Sequence, residues 1–146
     1  MFSIDGLKIL IVGGSRGIGQ ALVFGFIRAN ARVTILDINV PDFKSEFNFI
    51  KCDLSDHISI QKALKKYHAD NSVADVLINC AAITIPGESH IYNDNDWLKS
   101  LSVNLSGVFF LCREVGRRMI EGKVKGSIIN FTSIGAEQGF ANNPGY

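Results

Sequence analysis

The run Val12-Gly13-Gly14-Ser15-Arg16-Gly17-Ile18-Gly19 has the residue types needed to cradle a phosphate. Glycine permits a tight turn and lets the backbone approach a pyrophosphate with no Cβ in the way. Free N–H groups at a helix start, with the partial positive charge of its dipole, attract the same anion. Such a loop carries weight only where it follows a strand and opens a helix. Asp37 stands 18 positions after Gly19, at the end of a second apolar run. A carboxylate there accepts hydrogen bonds from an adenosine ribose and repels a 2′-phosphate, which favours NAD over NADP. Arg16 pulls the other way, because a cation in the loop can hold that phosphate. Asp37 carries more weight, since a buried like-charge contact costs more than a flexible surface arginine gains.

The elements that must hold these residues follow from the apolar pattern. Lys8-Ile9-Leu10-Ile11-Val12 is a short run, apolar on both faces, that stops at Gly13; it predicts a strand covered on both sides. From Gly17 the period changes. Ile18, Ala21, Leu22, Gly25 and Ala29 fall on one helical face. Strands are expected at 32–37, 47–52, 75–79 and 127–132. Ser55 or Asp56 can cap a helix carrying Ile60, Ala63, Leu64 and Tyr67. A long helix over about 96–121 carries a stripe of Trp97, Leu101, Leu105, Val108, Cys112, Val115 and Met119. The connection between the second and third strands contains Pro41 and little periodicity, so any helix there is stunted. Alternating strands and helices imply parallel pairing and right-handed crossovers. The expected fold is α/β, an open doubly wound sheet of strand order 3-2-1-4-5.

Composition narrows the class. The 146 residues are 47% apolar and 20% charged, with 15 Lys+Arg against 14 Asp+Glu. That suits a globular chain of about one domain. No basic excess points to nucleic acid, and no apolar run approaches the ~20 residues that cross a bilayer. No secretory pattern opens the chain. Cys52, Cys80 and Cys112 are widely spaced and odd in number, against a disulfide framework or a zinc site, and no metal site is expected. Cys80 and Cys112 read as small buried hydrophobes. The expected setting is cytoplasmic.

With the strands placed, further residues fall into register, and the whole chain resembles the N-terminal part of a short-chain dehydrogenase/reductase. Val12 to Gly19 matches that family's T-G-x-x-x-G-x-G, with Val12 in place of Thr. Asp53-Leu54 looks like the pair that contacts adenine. Asn79-Cys80-Ala81-Ala82 resembles N-N-A-G, with Asn79 and Ala81 kept. Asn104, in Val103-Asn104-Leu105-Ser106-Gly107, matches the catalytic helix asparagine. Ser133 matches the catalytic serine, and Tyr146 falls at the tyrosine of Y-x-x-x-K.

The resemblance implies a Rossmann-type, three-layer α/β/α domain that occupies 1–146 and is cut short after its fifth strand. The motif lysine would be residue 150, beyond the sequence, so the chain is either a fragment of a longer enzyme or a truncated product. The implied activity is hydride transfer between NAD(H) and a carbonyl or secondary alcohol. Gly13, Ser15, Arg16, Gly17, Ile18, Gly19, Asp37, Asp53, Leu54, Asn79 and Ala81 would bind the cofactor. Tyr146 would be general acid in reduction and general base in oxidation. A free phenol titrates near ~10, too high for a good neutral-pH base, and the family lowers it with the lysine. Ser133 would hydrogen-bond the substrate oxygen, and Asn104 would help hold a proton-relay water. The loop Gly139 to Pro144 looks like loops of sugar-alcohol dehydrogenases and 3-oxoacyl carrier-protein reductases. The implied partner is a small-molecule substrate, with a homo-oligomeric full-length parent, dimer or tetramer. A non-catalytic nucleotide-binding or interaction module is the alternative.

Overall fold

A computed structural model describes residues 3–69 and 73–146. The first strand, β1 (Lys8–Val12), is the centre of the sheet, and the glycine loop carries it into α1 (Gly17–Arg28). Then come β2 (Arg32–Asp37), β3 (Phe47–Lys51), α2 (His57–Tyr67) and β4 (Val76–Asn79). A long helical rod follows as α3 (Asp94–Leu101), a wider π turn (Ser102–Gly107) and α4 (Val108–Glu121); β5 (Ser127–Asn130) closes the series. All five strands pair in parallel in the order β3-β2-β1-β4-β5. The expected α/β architecture and strand order are therefore observed.

The alternation of β1 explains the layers. Ile9 and Ile11 face α1, in a core with Val23, Val33, Ile35 and Ile78. Leu10 and Val12 face the opposite side, in a core with Leu64, Leu111, Val115 and Met119 from α2 and α4. Ile9, Leu10 and Ile11 are all fully buried. Each such side chain contributes about 1.5–3 kcal/mol by leaving water, and Leu10→Ala would cost about 2–5 kcal/mol. Sheet covered on both faces is why β1 reads as an unbroken apolar run. No helix joins β2 to β3. There Phe43 packs against Phe24 and Phe47, with ring centroids 4.8 and 5.2 Å apart, and covers that corner of the sheet.

Two helical faces differ from the sequence expectation. On α1 the buried positions are Gly19 and Val23, with Leu22, Phe26 and Ile27 packed beside them; Ile18 is 64% exposed. The larger Phe26 and Ile27 side chains take the sheet-facing side. On the long rod, Trp97 and Leu105 are outside, and the buried row is Ser100, Val103, Gly107, Leu111, Val115 and Met119. That row advances by fours after its first step, which a 3.6-residue helix cannot keep on one side. The π turn absorbs the difference. The rod also starts earlier than expected, because the Asn93 side chain accepts from the backbone N–H of Asn95 and Asp96 and caps it.

All four residues of β5 are exposed. Ile128, Ile129 and Phe131 show apolar surface along this edge. Among the described residues no helix is long and apolar enough to cross a membrane, and no group of three or more His, Cys, Asp or Glu could hold a metal ion.

Candidate active site

The C-terminal ends of β1, β2 and β4 open onto a groove of about 500 Å³. Gly13, Arg16, Gly17, Ile18 and Gly19 line it from the loop, Asp37 from β2, Asp53 and Leu54 from the segment after β3, and Ala81 from the segment after β4. Glycine is required here by geometry. Gly13 has φ +82°, and a Cβ on it would lie 2.6 Å from the Ala81 nitrogen. A Cβ on Gly19 would lie 2.0 Å from the Gly13 carbonyl oxygen. Gly17 is open on all sides, but its φ of +57° favours glycine. The N-cap residue Arg16 supplies no side-chain hydrogen bond, and the first turn of α1 has no acid. The leading N–H groups of α1 are thus left for an anionic ligand.

Asp37 ties the loop to the strand tip. Its Oδ2 accepts from the Ser15 N–H at 3.0 Å, and its Oδ1 accepts from the Asn39 N–H at 3.0 Å. Each carboxylate oxygen keeps a further lone pair for a ligand hydroxyl. Asp53 is similarly occupied: its Oδ1 accepts from both the backbone N–H and the hydroxyl of Ser55, at 2.8 and 2.7 Å. The negative potential of this end registers on Cys52 between them. Burial, then the Asp53 and Asp37 carboxylates, push its thiol up to about 12. Burial alone raises Cys80, on the other wall, to about 11.

Two expected cofactor residues do not face the groove. Ser15 is buried behind the loop, its hydroxyl donating to the Asn39 carbonyl at 2.7 Å. Asn79 is buried between β4 and β5, where its Nδ2 donates to Asn130 Oδ1 at 2.7 Å and approaches Cys112 Sγ at 3.4 Å. It faces away because alternate residues of a strand face opposite ways. Asn104 clamps the backbone of the groove's wall. Its Oδ1 accepts from the Ile83 N–H at 2.9 Å and its Nδ2 donates to the Ile83 carbonyl at 2.8 Å. This two-point clamp uses one amide proton and one lone pair of the carboxamide and leaves one of each. Ile83 itself lines the groove, so the π turn aims Asn104 at the groove's wall.

Ser133 caps a short 3₁₀ turn (Ile134–Ala136), its Oγ accepting from the Gly135 N–H at 3.1 Å. A hydroxyl that accepts in this way still has its proton to donate. Tyr146 is half exposed; its ring edge lies 3.4 Å from where a Cβ on Gly135 would sit. Groove residues that escaped the sequence reading include Ile38 and Asn39 beyond Asp37, and Lys99 and Val103 on the rod. The first pair could have been found by following the strand tip outward. The second pair had no signal of its own, because the phase of the rod is set by the π turn. A separate cleft of about 460 Å³ between α2 and α4, lined in part by His57, Lys65 and Arg113, contains none of the expected residues.

The sequence profile of the family described as short chain dehydrogenase matches residues 8–146. The 3-oxoacyl acyl-carrier-protein reductase of Chlamydia pneumoniae is 31% identical, over 99% of this chain and 62% of its own length. A short chain dehydrogenase from Leptospira borgpetersenii, solved with bound NAD+, is 30% identical with a TM-score of 0.89, over 94% of this chain and 56% of its own. A gluconate 5-dehydrogenase from Burkholderia cenocepacia, solved with NADP and tartrate, is 29% identical with a TM-score of 0.87, over 99% of this chain and 60% of its own. The chain thus spans roughly three-fifths of the length of these relatives.

Proposed function

Because the chain belongs to the short-chain dehydrogenase family, we propose that it is a dinucleotide-binding domain, over 1–146, that binds NAD(H) in the groove at the strand tips. In the complete enzyme it would transfer hydride between nicotinamide and a carbonyl or secondary alcohol. The observation that carries this reading is the glycine cradle beside Asp37. Two glycines close on backbone atoms with no room for a Cβ, the start of α1 is left uncapped by any side chain, and a carboxylate stands at the neighbouring strand tip. Those features fit a pyrophosphate joined to an unmodified ribose. A 2′-phosphate would meet the field of Asp37 and Asp53, the same field felt by Cys52. Arg16 is the one lining cation of the loop that favours it. The Leptospira neighbour holds NAD+ and the Burkholderia neighbour NADP, so the fold accepts either and the choice rests on these side chains.

Nicotinamide, when bound, supplies the hydride carrier; the chain's own residues handle the proton and the geometry. Tyr146 would give a proton to the substrate oxygen in reduction and take it back in oxidation. Ser133 would donate its hydroxyl proton to the same oxygen, the Gly135 N–H holding its lone pair. Asn104 would fix the Ile83 wall through its two-point clamp. The relatives include a 3-oxoacyl reductase and a gluconate dehydrogenase; the substrate we assign is a polar carbonyl or alcohol of sugar-alcohol or 3-oxoacyl type. The complete enzyme is expected to be a homo-oligomer.

The test is a fluorescence titration with NADH and NADPH. The wild type should favour NADH at least roughly tenfold, a difference of about 1.4 kcal/mol, and Asp37→Asn should erase the preference. Tighter NADPH binding by the wild type would overturn the ribose assignment, and binding of neither would overturn the dinucleotide reading. In the complete enzyme, Tyr146→Phe should abolish turnover while leaving NADH affinity nearly intact.

A further inference from the structure

We infer that the cleft between α2 and α4 is a second ligand site, suited to a phosphate monoester with an apolar or aromatic body. It is separate from the dinucleotide groove: the cleft, of about 460 Å³, shares no lining residue with it. That volume falls within the range of small-molecule sites, which pair apolar walls with a few placed polar groups. Ile60 and Leu64 of α2 and Phe110 of α4 supply the apolar lining. The His57 ring lies against Phe110, with centroids 4.4 Å apart.

The charge around this cleft is one-sided. The α2 sequence carries Lys62, Lys65 and Lys66 and no carboxylate. On α4 there are two carboxylates, Glu114 and Glu121, and Arg117 binds both. Arg113 and Arg118, which line the cleft with Lys65, have no ion-pair partner among the described residues. Glu114 lines it too, but its charge is already engaged. The Arg117 hydrogen bond first, and then the charges of Arg117, Arg118 and His68, hold its carboxyl below the ordinary range against the effect of burial.

Two of the cations are prepared for an oxyanion. Arg118 Nε is buried and has no hydrogen-bond partner. A buried charged donor without an acceptor is unfavourable, and an oxyanion held in the cleft supplies one. Arginine offers its donors as a planar fork that matches phosphate. The Arg113 guanidinium is steadied 5.4 and 5.3 Å above the Phe109 and Phe110 rings. Three cations in one cleft exceed what a single carboxylate neutralises, whereas a phosphate monoester carries about −1.5 to −2 at neutral pH. The ester is favoured over the free ion because inorganic phosphate would leave Ile60, Leu64 and Phe110 uncovered.

The probe is phenyl phosphate, titrated by calorimetry into the complete enzyme saturated with NADH, so that the strand-tip groove is filled. The wild type should take up one equivalent per chain. Arg118→Gln removes charge-assisted donors and should weaken binding roughly tenfold or more. Lys65→Gln changes an exposed side chain and spares the fold; it should weaken binding roughly threefold. Inorganic phosphate should bind at least roughly tenfold more weakly than the ester. Both variants lie outside the dinucleotide groove and should keep wild-type NADH affinity. No binding by the wild type, including the case in which a second copy covers the cleft, would overturn the site. So would equal affinity for inorganic phosphate, which would mean that surface cations alone hold the anion, or an unchanged phenyl phosphate affinity in Lys65→Gln and Arg118→Gln.

Discussion

Gly19→Ala is the sharpest perturbation of the groove. Its new Cβ would stand 2.0 Å from the Gly13 carbonyl oxygen and 3.0 Å from Gly14 Cα. Carbon and carbonyl oxygen normally approach no closer than about 3.3 Å, so the backbone must part by more than about 1 Å. Both obstructing atoms are backbone in the same loop, and no rotamer change relieves them. A loop moved that far takes its N–H groups out of reach of a pyrophosphate. Charge-assisted hydrogen bonds contribute about 1.5–3 kcal/mol each, so losing two lowers NADH affinity by roughly 100-fold or more. Overpacking should also cost the fold about 1–3 kcal/mol. Two neighbours serve as internal comparisons. Gly17→Ala meets nothing within 4 Å but keeps a φ of +57°; it should cost about 1–2 kcal/mol of stability and change affinity only a few-fold. Gly25→Ala, mid-helix with open space around it, should raise stability by about 0.5–1 kcal/mol and leave affinity alone. Thermal unfolding and NADH fluorescence titration read both quantities. Wild-type affinity in Gly19→Ala, or an equal loss in Gly25→Ala, would refute the argument from close approach.

Asn104→Ala removes both hydrogen bonds to the Ile83 backbone and should cost about 2–3 kcal/mol in urea denaturation; a loss below about 0.5 kcal/mol would mean the clamp is idle. Cys52 and Cys80 are raised to about 12 and 11, so both stay protonated at neutral pH and should react slowly with iodoacetamide, which attacks thiolates. Because their folded values lie above the unfolded one, stability is fully present below about pH 9 and falls as pH rises toward 11–12, by at most about 1.4 kcal/mol per pH unit for buried Cys52 and by less for the part-exposed, solvent-screened Cys80; a melting temperature unchanged from pH 8 to pH 11 would contradict this. In an isolated 1–146 segment the apolar edge at Ile128, Ile129 and Phe131 should drive oligomers on a sizing column, and Ile129→Lys should shift it toward the monomer. A monodisperse wild-type species of 16.0 kDa would refute that.

Much of this architecture is local in origin and could be read directly. The β1 run, the glycine loop and the Asp37 tip are contiguous, and Asp56, one of two expected caps, does accept from the Ile58 N–H at the head of α2. What escaped the reading depends on contacts across the fold. On α1, Ile18 and Ala21 compete on equal sequence terms with Phe26 and Ile27, and only the sheet decides between them. The motif position of Asn79 points to the cofactor, while strand alternation turns its side chain toward Asn130. The stripe through Leu105 assumed an unbroken spiral, which Ser102–Gly107 does not keep. Lys99 and Val103 came to the groove unannounced for the same reason.

That widened turn also bears on which sequence changes the fold can absorb. A π turn is an α-helix carrying one surplus residue. Excising one residue from this stretch would let the rod wind evenly while Val115 and Met119 stayed beneath the sheet. The damage would fall on Asn104, which would swing away from Ile83 and leave the wall beside the groove unsupported. At this point the scaffold can tolerate a deletion that its binding cleft cannot.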